Sequence, residues 1–365
     1  MGVETSVKKE ESGLYAPKAK ILVVDDNSMN CKLVRSLLKK TGIEVAEAFS
    51  GQEALSKTGS EKFDVILMDH MMPGMDGIEA FRKIREQDGH NKTVPVIALT
   101  ANPDTDAREL YIKEGFSCFL KKPVKPSLLE QVLADFLPDE LVERYSMQEE
   151  KEEGFNPEDH SIEGLDWDFA KIHFTDKETM LETLNNFRLM ISRDSGRLQA
   201  FYEEFKYINT AAPDNYVLSE YRVLVHSMKS SATLVGIIPL AGLALLLEKA
   251  AGAGDLDTIR ALHDVFIKNW NTYEERLAPL FEREGENSGA EFDREVFIAH
   301  LDKLMQASEM LDVDTMDPEA KAIMATNLPW DGKKDVQTLL GAVAALDIIA
   351  INSAAEKLKA EAEKM

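Results

Sequence analysis

Cysteine is almost missing from this chain: two occur in 365 residues, Cys31 and Cys118. Two thiols cannot supply a disulfide framework or a four-ligand zinc site, so both are expected to serve as small apolar residues in a reducing compartment. No apolar run reaches the roughly 18 residues that a membrane helix needs. The opening string MGVETSVKKEESG holds no apolar stretch that could act as a signal peptide. A cytoplasmic protein without membrane insertion is the expectation. Positive charge is scarce too, with 42 Lys and Arg against 65 Asp and Glu and a formal net charge of −23. Phosphate backbones are bound by clustered cations, and no basic recognition helix is visible, so no nucleic-acid partner is expected.

What the chain does have is a set of short apolar runs that end in chemistry. Residues 64–77 read DVILMDHMMPGMDG. Val65 to Met68 has the length and composition of a buried strand, Asp69 ends it, and Pro73, Gly74 and Gly77 break the chain directly afterwards. Taken alone, Asp69 reads best as a loop residue near a helix start. Three further runs change that reading. KILVVDDN (20–27) ends in Asp25 and Asp26, VPVIALTA (94–101) ends at Thr100, and SCFLKKP (117–123) ends at Lys122 before Pro123. In a parallel sheet these ends meet at one rim. Three carboxylates held together repel one another unless a cation joins them, which implies a hard divalent ion. Mg²⁺ suits oxygen ligands and a phosphoryl substrate, and the Lys ammonium can offset charge on phosphoryl oxygens.

On these residues, 18–138 resembles a response-regulator receiver domain, with all five family positions present in order. The resemblance implies Asp69 as phosphoacceptor, with Asp26 and the backbone carbonyl of Met71 as further Mg²⁺ ligands and Asp25 acting largely through water. It also implies that Thr100 binds a phosphoryl oxygen, that Lys122 pairs with the phosphate, and that Phe119 is the switch aromatic. Lys122 is preferred to Lys121 because the family residue directly precedes a proline. Strands are expected near 20–25, 43–48, 64–69, 94–100 and 117–121. Helices are expected near 28–41, 51–58, 77–86, 104–114 and 126–137. The fold class is α/β plus all-α: a flavodoxin-like, five-stranded, parallel, doubly wound receiver, then a helical phosphotransfer bundle and a further helical region.

Around that core, residues 1–17 read as a polar leader and 139–163 as an acidic linker, or as a helix at 139–152 extending the receiver. Everything after about 164 has helical periodicity: 176–208, 216–236, 239–251, 255–283, 291–312, 317–326 and 334–364. In YRVLVHSMKSSATLVG (221–236), His226 and Lys229 lie one helical turn apart among small side chains. Imidazole is a good nucleophile towards an acyl phosphate, and small neighbours leave it approachable. With Ser230, Ser231, Ala232, Gly236, Leu243, Glu248 and Gly254-Asp255, this string resembles the histidine phosphotransfer family over 164–285. That resemblance implies His226 as phosphoacceptor and Lys229 as phosphate partner, and Ser230 departs from the glycine that usually follows the lysine. Residues 286–365 carry apolar stripes and one more H-x-x-K spacing, His300 and Lys303. There Leu304 and Met305 are expected to obstruct a docking partner. The region is expected to be a non-catalytic helical domain or a degenerate phosphotransfer-like bundle, packing on the active bundle or on a second copy of the chain.

No kinase ATP-binding string, D-x-G-x-G or N-x-x-x-N-A, occurs. The expected role is therefore a two-component phosphorelay intermediate that needs a separate histidine kinase and hands on to a downstream response regulator. The chain resembles the carboxyl-terminal portion of a hybrid sensor histidine kinase. Two alternatives stay open: a phosphate sink draining a kinase, and a phosphorylation-regulated scaffold.

Overall fold

The computed structural model describes residues 12–101, 105–146, 162–174, 176–207, 216–281, 292–310, 312–344 and 346–364. The chain divides into two compact units, the first built on the sheet and including Trp167–Met180, the second made mainly of the helices from Leu181 onward.

In the first unit the elements alternate: β1 (Ser12–Tyr15), β2 (Lys20–Val24), α1 (Ser28–Leu37), β3 (Glu44–Ala48), α2 (Gly51–Ser60), β4 (Val65–Asp69), α3 (Gly77–Glu86), β5 (Val96–Thr100), α4 (Thr105–Glu114), β6 (Cys118–Lys121), α5 (Pro126–Phe136) and β7 (Glu143–Ser146). Five strands form a parallel sheet in the order β3-β2-β4-β5-β6. Every residue of β4 and β5 is buried. That accounts for their unbroken apolar sequence, because helices cover both faces of such a sheet. The chain runs from β2 out to β3 and then back to β4 on the other side of β2. This reversal opens a crevice at the carboxyl ends of the strands, where doubly wound folds bind ligands. The helices are fixed by local chemistry: Ser50 accepts from Glu53 N at the start of α2, and Asp76 accepts from Glu79 N at the start of α3.

Two sequence expectations are corrected here. The leader expected over 1–17 carries β1, which pairs antiparallel with β7 inside the expected linker, Leu14 facing Arg144. Leu14 is buried and its amide donates to Glu130 Oε2 of α5 at 3.5 Å. Four-residue strands this far apart in sequence are too short for alternation to reveal them. The remainder of the expected linker, 147–161, lies outside the described residues.

The second unit contains most of α7 (Lys177–Phe205), then α8 (Tyr216–Leu234), α9 (Ile238–Ala253) and α10 (Leu256–Leu277). A short helix, α6 (Trp167–Lys171), precedes α7 in the first unit. Phe187 and Trp270 pack with ring centroids 5.1 Å apart, and the Trp270 indole donates to Ile191 O. Near the other end, His263 is fully buried, stacked on Tyr202, with its nitrogens engaged by Tyr221 Oη and Gln199 Oε1. Burial pulls its pKa down to about 4, so this ring is a neutral core group.

Four more helices follow: α11 (Arg294–Glu309), α12 (Val313–Ala325), α13 (Lys333–Ala344) and α14 (Ile348–Ala362). The single helix expected over 334–364 is broken. Leu346 adopts a φ of 51°, and Asp347 caps a new helix by accepting from Ala350 N. The apolar stripes of these helices bury one another in one core built on Phe297, Leu301, Leu304, Leu339, Ile351 and Leu358, and Leu189 of α7 packs against it. A Cβ at Gly341 would stand 2.9 Å from Leu189 O, so α13 and α7 approach backbone to backbone. Lys321 and Glu182 add an ion pair at 3.1 Å. The stripes are thus covered within the chain. Substituting Gly341→Val should force α13 away from α7 and cost about 1–3 kcal/mol through overpacking. The check is denaturant unfolding followed by circular dichroism, and an unchanged midpoint would contradict this close approach.

Candidate functional site

Asp25 follows β2, Asp26 comes next, and Asp69 closes β4, so the parallel register delivers three carboxylates to one rim of the sheet. One ligand oxygen from each lies within 4.8 Å of the others. Lys122 reaches them from the end of β6, its ammonium 2.6 Å from Asp25 Oδ2 and 2.7 Å from Asp69 Oδ2. Asp25, Asp69, Thr100 and Lys122 are all buried. Burial alone would discharge the lysine, but the carboxylates of Asp25 and Asp69 outweigh it and hold its pKa above the ordinary lysine value. Asp26 is displaced the other way. Burial, then the charges of Asp25 and Asp69, push its pKa well above the usual carboxylate range. One ammonium does not balance three carboxylates, and a divalent cation on the same oxygens fits the excess charge.

The rest of the predicted set sits around this cluster. Lys122 N donates to Thr100 O at 2.8 Å, which ties the last two strand ends together, and the Lys122–Pro123 peptide is cis. Met71 stands two residues past Asp69 in the loop to α3. That loop is tight: Gly77 N donates to His70 O, and a Cβ at Gly77 would fall 1.9 Å from Asp69 O. Phe119 is half-buried on β6, stacked on Tyr111 at 6.4 Å with the Arg108 guanidinium 4.9 Å above its ring. Tyr111 Oη in turn meets His70 Nδ1 at 2.9 Å. His70 therefore links the residue after Asp69 to the ring beside Phe119, a connection that sequence spacing does not reveal. Asn30 Nδ2 also donates to Asp25 Oδ1 at 3.0 Å and orients that carboxylate.

A second cluster lies in the helical unit. His226 and Lys229 project from α8 towards Glu248 of α9, one helix giving two members and the next giving the third. His226 Nδ1 is 2.6 Å from Glu248 Oε1, and Lys229 Nζ is 2.5 Å from Glu248 Oε2. Lys229 Nζ also stands 3.4 Å from His226 Nδ1. The carboxylate thus holds Nδ1 as the protonated nitrogen and leaves the lone pair on Nε2. His226 Nε2 and Ser230 Oγ, one turn along, are buried without a hydrogen-bond partner among the described residues. Burial works against the Glu248 charge, but the His226 hydrogen bond and the charges of His226 and Lys229 prevail and bring its pKa down to about 2. The sequence shows Glu248 only as one letter of a string; its role appears when α8 and α9 pair.

A family model described as the response regulator receiver domain matches residues 21–134. The hybrid signal transduction histidine kinase I of Dictyostelium discoideum is 38% identical over 133 residues, 34% of this chain and 8% of that protein. The sensor protein EvgS of Escherichia coli K12 is 36% identical over 133 residues, 36% of this chain and 11% of that protein. The matched stretch is thus a small part of those relatives. Among solved structures, the receiver domain of sensor histidine kinase PA1611 from Pseudomonas aeruginosa PAO1, whose site holds a magnesium ion, is 35% identical. That match covers 32% of this chain and 96% of that one, with a TM-score of 0.31. The Vibrio cholerae chemotaxis protein CheY4 is 34% identical over 33% of this chain and 98% of that one, also with a TM-score of 0.31. Residues 21–134 are a receiver domain.

The Glu248 cluster has a pH consequence. A pKa of about 2 in the folded chain lies below the ordinary 4.5. The associated stability is therefore present above pH 4.5 and is lost as pH falls from about 4.5 towards 2, on the order of 3 kcal/mol. Glu248→Gln should flatten this part of the acid-unfolding profile, read by tryptophan fluorescence between pH 5 and 2.5. An equally steep profile in the variant would contradict the assignment.

Proposed function

We propose that this chain is an intermediate of a two-component phosphorelay, carrying phosphoryl groups on Asp69 of the receiver and on His226 of a histidine phosphotransfer bundle spanning about 164–285. The observation that carries this reading is the His226 cluster: Glu248 occupies Nδ1, and Nε2 is left as an unpartnered nucleophile. Asp69 is the acceptor because it ends a central strand at the rim, beside the Lys122 ammonium.

In the receiver, Asp25, Asp26, Asp69 and the carbonyl of Met71 are the groups that would hold Mg²⁺, with Asp25 as an outer member of the set. The ion supplies charge neutralisation on the carboxylates and on the phosphoryl oxygens. Lys122 moves its interaction from the free Asp69 carboxylate to the phosphoryl group, and Thr100 binds another phosphoryl oxygen. Drawing Thr100 inward frees space for Phe119 to change rotamer beside Tyr111, whose hydroxyl in turn meets His70.

Transfer to the helical unit is a single exchange of bonds. The Nε2 lone pair of His226 attacks phosphorus, an N–P bond forms, and the P–O bond to the Asp69 carboxyl breaks with its electron pair leaving on the carboxylate. Glu248 keeps the Nδ1 proton in place and balances the positive ring that results. Lys229 offsets charge on the phosphoryl oxygens, and the Ser230 hydroxyl is placed to donate to one of them. A separate histidine kinase charges the relay and a downstream response regulator receives from it. Among the described residues no helix is long and apolar enough to cross a membrane.

Incubation with acetyl phosphate and Mg²⁺ should label the full chain with two chemically distinct phosphates. Asp69→Asn or EDTA should abolish the acyl phosphate. His226→Gln should remove most of the acid-labile, base-stable phosphate, and Lys229→Ala should slow its appearance by about tenfold or more. Undiminished receiver labelling in Asp69→Asn, or undiminished base-stable label in His226→Gln, would overturn the reading.

A further inference from the structure

The constellation at His226 occurs a second time in the chain. His300 and Lys303 lie one turn apart on α11, and Glu319 faces them from α12, the next helix. His300 Nδ1 is 2.5 Å from Glu319 Oε2, and Lys303 Nζ is 3.6 Å from Glu319 Oε1. The division of labour matches the first cluster atom for atom: one carboxylate, histidine Nδ1 on one oxygen, lysine Nζ on the other. As at His226, Nδ1 is occupied, and Nε2 of His300 has no hydrogen-bond partner among the described residues.

The remaining described histidines differ. His263 has both nitrogens engaged in the core. His70 meets a tyrosine hydroxyl, while His90 and His173 each contact a backbone carbonyl. None of these is shown sharing a carboxylate with a lysine.

Leu304 and Met305 are the two side chains expected to obstruct a docking partner. Leu304, one turn from His300 on the same helix, is fully buried in the core of the bundle. Met305 is half-buried and packs against the same core. The face around His300 is lined by the exposed Ala299 and Lys303 and by Val296 one turn earlier. The His300 side chain is 28% exposed and that of Lys303 61% exposed, so the ring edge is open to an incoming group. An isolated surface His–Glu contact would carry little meaning. The recurrence of all three members in the same roles is what calls for an explanation.

We propose that His300 is a second phosphoryl-accepting histidine, taking its phosphoryl group from the aspartyl phosphate of a receiver domain. The inference rests on the reading of His226 for its chemistry. The Nε2 lone pair attacks phosphorus, the N–P bond forms, and the acyl P–O bond breaks with its electron pair leaving on the aspartate carboxylate. Glu319 holds the Nδ1 proton and balances the charged ring, and Lys303 accompanies the phosphoryl oxygens. The carboxyl-terminal bundle then adds a second histidine store alongside His226.

The test loads the full chain with acetyl phosphate and Mg²⁺ and maps base-stable phosphate to peptides under alkaline conditions. The unsubstituted chain, His226→Gln, His300→Gln and the double variant are compared, with circular dichroism confirming helicity. The expected result is phosphate on His300 in the unsubstituted chain, its persistence in His226→Gln, and its loss in the double variant. Lys303→Ala, at an exposed position, should slow labelling of His300 by about tenfold. Phosphate on His226 and none on His300 overturns this proposal and leaves the first reading standing. Phosphate on His300 alone does the reverse, and phosphate on neither overturns both.

Discussion

Repulsion among three carboxylates at the end of a parallel sheet is the constraint on which the first unit depends. Asp25, Asp26 and Asp69 bring oxygens within 4.8 Å of one another in a largely buried setting. The ammonium of Lys122 contacts two of them. Such a cluster is tolerable because the strand ends are fixed by an apolar sheet that buries every residue of β4 and β5. The stability of the sheet is what holds these charges together, and a divalent cation on the same oxygens would fit their unbalanced excess.

The helical unit meets the opposite need. At His226 a buried carboxylate occupies one ring nitrogen, and the other has no hydrogen-bond partner among the described residues. His263 shows what the same side chain becomes when both nitrogens are satisfied and burial keeps it neutral: a packing element stacked on Tyr202. The difference between His263 and His226 thus lies in hydrogen-bond partners rather than in burial, since both rings are buried.

Much of the first unit was legible in the sequence because its signals are local. Strand ends at Asp25, Asp69 and Thr100 follow apolar runs whose length alone marks them as buried strands, and five βα repeats leave few topologies. The strand Ser12–Tyr15 was not legible, since its partner Glu143–Ser146 lies far along the chain and neither run is long enough to alternate. The break before Asp347 was hidden because the apolar spacing continues across it, and only the aspartate cap hints at a new start. The Lys122 contacts and the His70–Tyr111–Phe119 packing depend on which strands neighbour one another. The Glu248 and Glu319 contacts depend on which helix faces which, and no residue spacing encodes that.

The account stands on the claim that one chain holds phosphate both as an acyl phosphate on aspartate and as a phosphoramidate on histidine. Phosphorus NMR of the intact, Mg²⁺-loaded chain during turnover of acetyl phosphate observes both species directly, without any substitution. The account predicts a protein-bound acyl phosphate resonance that appears first and a phosphoramidate resonance that grows at its expense. An acyl phosphate that accumulates and decays with no phosphoramidate signal at any time would contradict it.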